Sequence, residues 1–111
     1  MTAEPKFARS AESTPVEMSP GIVRRTLTWG ERMLIAEVTL AKGCVVPMHE
    51  HPHEQVGYVA TGRLEFVVGE AKAVLEAGDG YAIPGRVPHS VVALDDSVAV
   101  DVFSPVREEY R

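Results

Sequence analysis

The amino-acid sequence predicts an all-β domain, a sandwich or barrel of short strands. Three observations carry this. Between Gly21 and Ser104, apolar segments of about five to nine residues alternate with Gly, Pro and Asp punctuation. No window repeats apolar residues at i, i+3, i+4 and i+7, so helix is minor. The chain has 111 residues, enough for one domain, and only 6% are aromatic, which leaves Val, Leu, Ile and Ala to fill the core.

Residues 1–20 read as an N-terminal arm or tail, rich in Glu, Ser, Thr and Pro. Such a stretch buries too little to order itself and needs a partner subunit or a lattice neighbour to hold it. The barrel is read as 21–111. Strand 22–28 ends at Trp29-Gly30-Glu31, and strand 32–40 at Ala41-Lys42-Gly43. Strand 44–49 is broken by Pro52, whose ring fixes φ and removes a donor. Strands 55–60 and 63–69 flank Thr61-Gly62, and Gly69-Glu70 turns the chain into 71–76. Ala77-Gly78-Asp79-Gly80 leads into 80–83, and Asp95-Asp96 separates 90–94 from 97–103. In the last strand Val98, Val100 and Val102 share one face, and Ala99, Asp101 and Phe103 the other.

Composition excludes several functions. Net charge is −5, and no basic cluster exceeds Arg24-Arg25, which argues against non-specific nucleic-acid binding. No run approaches the ~20 apolar residues of a membrane helix. Met1–Lys6 lacks the apolar stretch of a secretory leader, and the lone Cys44 permits no internal disulfide. Both readings suit a cytoplasmic protein. Cys44 itself reads as a small buried filler.

Three of the four histidines fall in Met48-His49-Glu50-His51-Pro52-His53-Glu54-Gln55. A polar loop containing histidines by chance explains one such residue far better than three alternating ones. In a strand, alternate side chains share a face, with ~6.6 Å between them. His49 and His51 can thus converge on one ion from one strand. His49 and Gln55 in one straight strand would stand ~20 Å apart, so the chain must turn at Pro52 and place Gln55 at the start of the next strand. His53 then lies in the turn, facing solvent or backing a ligand. The rival set His51, His53 and Gln55 would need Pro52 inside a regular ladder.

Gly43-x5-His49-x-His51-x3-Gln55-x6-Gly62 resembles the first motif of the cupins, with Gln55 where Glu is usual. Gly78-x5-Pro84-x-Arg86-x2-His89 resembles the second, with Arg86 at the usual Gly and Ala93 at the usual Asn. The resemblance spans residues 21–104. It implies a double-stranded β-helix (jelly-roll) barrel, commonly a homodimer, with metal ligands His49, His51, Gln55 and His89. Three imidazoles and a neutral amide would leave the ion its full +2 charge, which favours an anionic substrate. Ni, Zn, Mn, Fe and Co all suit such a donor set.

Asp101, in the middle of an apolar strand, is either a solvated edge residue or a carboxylate aimed into the barrel. Arg107, just beyond Pro105, carries a fork suited to carboxylates. His49–Gln55 together with Asp101-Val102-Phe103-Ser104-Pro105-Val106-Arg107-Glu108 is similar to the pectin-degradation cupins of the KdgF type. Those proteins open the rings of unsaturated uronates released by polysaccharide lyases. The resemblance implies catalytic roles for Asp101, Phe103 and Arg107: a proton shuttle, a sugar-packing ring and a charge screen. A dioxygenase on the same ligands, a non-catalytic sugar- or anion-binding cupin and a structural metal protein are the alternatives. Tyr58 and Tyr81 are further candidates to line the cavity, with strand faces unsettled.

Overall fold

Along β10 (Ser97–Ser104) every second residue is buried: Ser97, Ala99, Asp101 and Phe103 face inward, and the valines between them are half-exposed. A strand with that parity needs a core on one side only. The computed structural model, which describes residues 4–111, provides it with two antiparallel sheets. The first three residues of the arm, part of the segment read for a leader, lie outside the described residues.

The chain runs through β1 (Pro15–Ser19), β2 (Ile22–Trp29), β3 (Leu34–Leu40), β4 (Val45–His49) and β5 (Glu54–Thr61). It continues through β6 (Arg63–Val68), β7 (Ala71–Glu76), β8 (Gly80–Ile83), β9 (His89–Ala93) and β10. One sheet has the order β1-β2-β3-β10-β5-β8 and the other β4-β9-β6-β7. Ile22, Leu40, Val59 and Ala99 from the first meet Leu64, Phe66 and Ala93 from the second in a single apolar cluster. Val59 and Leu64 are fully enclosed, and burying each stabilises the fold by about 1.5–3 kcal/mol. This is a jelly roll, the fold that the resemblance to the cupins implies. Among the described residues, helix is limited to 3-10 turns at Ser10–Glu12 and Glu108–Tyr110, and no helix is long and apolar enough to cross a membrane.

Two local expectations are corrected. Pro15–Ser19, inside the segment read as unable to order itself, pairs with β2 of the same chain. Every residue of β1 is exposed, so no burial pattern announces it. Main-chain pairing holds it instead, beside an Arg25 Nη1 bond to the Ser13 carbonyl at 2.7 Å. The second correction concerns His51, expected on one strand with His49. β4 ends at His49, and His51 lies in the bend before β5.

A second cluster gathers Leu34, Ala36, Phe103, Val106 and Tyr110, with Trp29 packed against it. It folds the segment after β10 back against β2, where the Thr26 hydroxyl donates to the Tyr110 carbonyl. That return places Arg107 at the mouth of the cavity between the sheets.

Candidate metal centre

β4 and β9 pair so that His49 stands opposite His89, with ring centroids 4.3 Å apart. His51 arrives from the bend, where its carbonyl accepts the Arg86 amide at 2.7 Å. That tie needs close backbone approach: a Cβ on Gly85 would overlap the Pro52 carbonyl. It also needs Arg86 in the left-handed region, at φ 64°. The His51 ring then lies 4.9 Å from His89 and 5.7 Å from His49, and the three imidazoles offer ligand atoms within 4.8 Å of one another.

Each imidazole is oriented by a main-chain carbonyl two residues away. Nδ1 of His49, His51 and His89 lies 2.9, 3.0 and 2.9 Å from the carbonyls of Pro47, His53 and Val87. A carbonyl only accepts, so Nδ1 carries the proton and Nε2 keeps its lone pair. Among the described residues, His89 Nε2 is buried with no hydrogen-bond partner. His51 Nε2 faces Gln55 Oε1 at 3.1 Å, and Nδ1 already uses the single ring proton of a neutral imidazole. Burial, aided by the nearby charges of Arg107 and His89, lowers the His51 pKa from 6.5 to about 4, and burial also lowers that of His89. Lone pairs left unpaired in a closed space are costly without a cation to receive them, so this cluster is compatible with a divalent metal.

Gln55, second residue of β5, is buried beside the imidazoles, and its Nε2 donates to Asp101 Oδ1 at 2.9 Å. Asp101 is buried on β10, between β3 and β5, so the solvated edge position does not occur. Its Oδ1 also accepts the Tyr81 hydroxyl at 2.6 Å. Burial raises the Asp101 pKa against the opposing pull of Tyr81, Gln55 and Arg107, and burial beside Asp101 raises that of Tyr81. Phe103 stands edge-on to His51 with centroids 5.7 Å apart. The Arg107 guanidinium lies 5.0 Å from the Phe103 ring centroid and 4.0 Å from that of Tyr110, and its Nε donates to Glu109 Oε1 at 2.9 Å.

Asp101, Phe103 and Arg107 therefore line the same cavity as His49, Gln55 and His89. His53 is half-buried behind His51, 5.5 Å from it between ring centroids, and supplies the carbonyl that orients it. Tyr81 faces in and Tyr58 faces out, a choice legible from parity with buried Ile83 on β8 and buried Val59 on β5. Tyr110, the platform under Arg107, lies beyond the last strand and has no such signal.

A family model described as the cupin domain matches residues 36–104. Over 96 residues the chain is 38% identical to the pectin degradation protein KdgF of Dickeya dadantii, covering 85% of this chain and 87% of that one. The chain belongs to the cupin family and is of the KdgF type. Among solved structures, this cupin superposes on KdgF from Halomonas sp. with a TM-score of 0.92 at 31% identity, covering 97% of this chain and all of the other. It superposes on an RmlC-like cupin from Shewanella frigidimarina with a TM-score of 0.91 at 28% identity, with both chains fully covered.

Proposed function

We propose that this cupin is a metal-dependent enzyme that opens the ring of a monomeric unsaturated uronate of the kind released in pectin or alginate breakdown. The convergence of three lone-pair imidazoles, an amide oxygen, a buried carboxylate and a guanidinium on one cavity carries the reading. The similarity to KdgF, a pectin degradation protein, supports the substrate class. His49, His51, His89 and Gln55 would hold the ion, which when bound supplies Lewis acidity at a sugar oxygen. Ni, Zn, Mn, Fe and Co all suit these donors.

The reaction is an isomerisation and needs no oxidant. The bond between the anomeric carbon and the ring oxygen breaks, the anomeric hydroxyl loses its proton, and the enol left behind takes a proton on carbon to become a ketone. Asp101 would carry both transfers: Oδ1 holds its two hydrogen bonds, which leaves Oδ2 to exchange protons. Arg107 commits Nε to Glu109 and retains its terminal nitrogens for the substrate carboxylate. Phe103 packs against the sugar and keeps water from the His51 side.

The test mixes protein loaded with each divalent ion in turn with an unsaturated uronate monomer and follows double-bond absorbance under nitrogen. Loss of absorbance at equal rates with and without oxygen is the expected result. A flat trace with all of these ions would overturn the assignment.

A further inference from the structure

A carboxamide is almost symmetric in shape, so Gln55 can present either end to the imidazoles. With no ion bound, turning its NH2 toward the His51 lone pair would satisfy both groups locally. The structure has the opposite orientation: Oε1 faces His51, and NH2 faces Asp101. The Asp101 carboxylate sets this choice, because the reversed amide would put oxygen against oxygen at that contact. The choice is only as firm as the hold on Asp101, and Tyr81 provides that hold.

Tyr81 reaches Asp101 across an intervening strand. β8 pairs with β5 and β5 with β10, and Tyr81, Gly57 and Asp101 form one continuous row across the three. Two strand spacings amount to about 9.6 Å, so the two side chains can meet only over a residue that has none. Gly57 is that residue. A Cβ there would come within 2.7 Å of both Asp101 Oδ1 and the Tyr81 oxygen, and would also overlap the Val100 carbonyl.

We propose that Tyr81 is a positioning residue: its hydroxyl, passing over Gly57, pins Asp101 Oδ1 and so locks the Gln55 amide with its oxygen toward the imidazoles. The metal-binding part of the inference rests on the metal centre proposed above. The amide lock itself is a property of the metal-free chain. Tyr81 acts through Asp101 and Gln55.

The sequence offers an unusually clean readout. Gln55 is the sole glutamine and the chain has no asparagine, so it holds a single side-chain carboxamide. In a 15N–1H correlation spectrum of the metal-free protein, that NH2 should appear as one resolved pair, with one proton shifted downfield by the Asp101 bond. Tyr81→Phe keeps the ring against Phe66, 4.4 Å between centroids, and removes only the hydroxyl. The carboxamide pair should then collapse toward exchange or split into two orientations. Zn2+ affinity, measured by chelator competition, should fall ~10–100-fold, the range for losing a group that orients a ligand. On the uronate, kcat should fall with KM little changed.

Gly57→Ala wedges the same two groups apart from the other side and should reproduce the carboxamide change. Wild-type carboxamide signals and wild-type Zn2+ affinity in folded Tyr81→Phe would overturn the inference. If that variant does not fold, wild-type carboxamide signals in Gly57→Ala would do so. The amide signals and the Zn2+ titration need no sugar, so a failed ring-opening assay would refute the proposed reaction alone. A wild-type chain that binds no Zn2+ would refute the metal centre, and the carboxamide pair would still decide the lock.

Discussion

Replacing Gln55 with glutamate, the usual cupin residue, sets a carboxylate 2.9 Å from buried Asp101 in place of an amide donor. At an effective dielectric constant of ~20, two unit charges at that distance repel by about 6 kcal/mol. Protonating an ordinary glutamate at pH 7 costs about 4 kcal/mol. The smaller cost wins, so the pair takes up one proton and the neutral acid donates to Asp101 as the amide did. Metal-free Gln55→Glu should therefore lose about 4 kcal/mol of stability at pH 7 but only about 1 kcal/mol at pH 5. The folded variant holds a proton that the unfolded chain has released at pH 7, so its stability falls as pH rises. Urea unfolding of both proteins in chelator at the two pH values measures this. Equal destabilisation at pH 5 and pH 7 would show that the new glutamate and Asp101 do not share a proton.

Asp101→Asn keeps an oxygen for Tyr81 and Gln55 but cannot pass a proton, so turnover should drop ~10²–10⁴-fold while the fold survives, by steady-state kinetics beside a thermal melt. His51 keeps a pKa near 4 in the folded metal-free protein against 6.5 unfolded. Folding stability should thus decline as pH falls from about 6.5 to about 4, and His51→Gln should make the urea-midpoint slope in that window shallower. Arg86 sits at φ 64°, so Arg86→Gly should be neutral or stabilising by up to about 1 kcal/mol, and Arg86→Val destabilising by about 1–2 kcal/mol. Denaturant melts decide this, and a clear loss on Arg86→Gly would mean the arginine side chain contributes more than its backbone costs.

Most strands were legible because the sheets bury one face and expose the other. Parity alone placed Asp101 with Ala99 and Phe103, and all three are buried. The turn at Pro52 was legible from reach, and Gln55 does begin a new strand. β1 escaped notice because strand pairing through main-chain groups leaves no hydrophobic signature when every side chain is exposed. His51 was set one element too early because alternation cannot show where pairing stops. The Tyr81–Asp101 bond depends on strand order, since β8 and β10 are brought to either side of β5 from distant parts of the chain. Tyr110 stacks on Arg107 only because the tail after β10 doubles back, and nothing in its local pattern says so.

The three imidazoles owe their aim to peptide oxygens, not to neighbouring carboxylates or amides. Such anchors belong to the polymer itself and survive almost any exchange of the residues that bear them. Exchanges that keep the backbone path therefore leave the trio poised, whereas an inserted or deleted residue in the segments 47–53 or 87–89 would displace the anchors themselves. A laboratory graft of this trio onto another barrel would accordingly have to copy loop lengths and the Gly85-Arg86 backbone faithfully, with more freedom at residues that lend only a carbonyl.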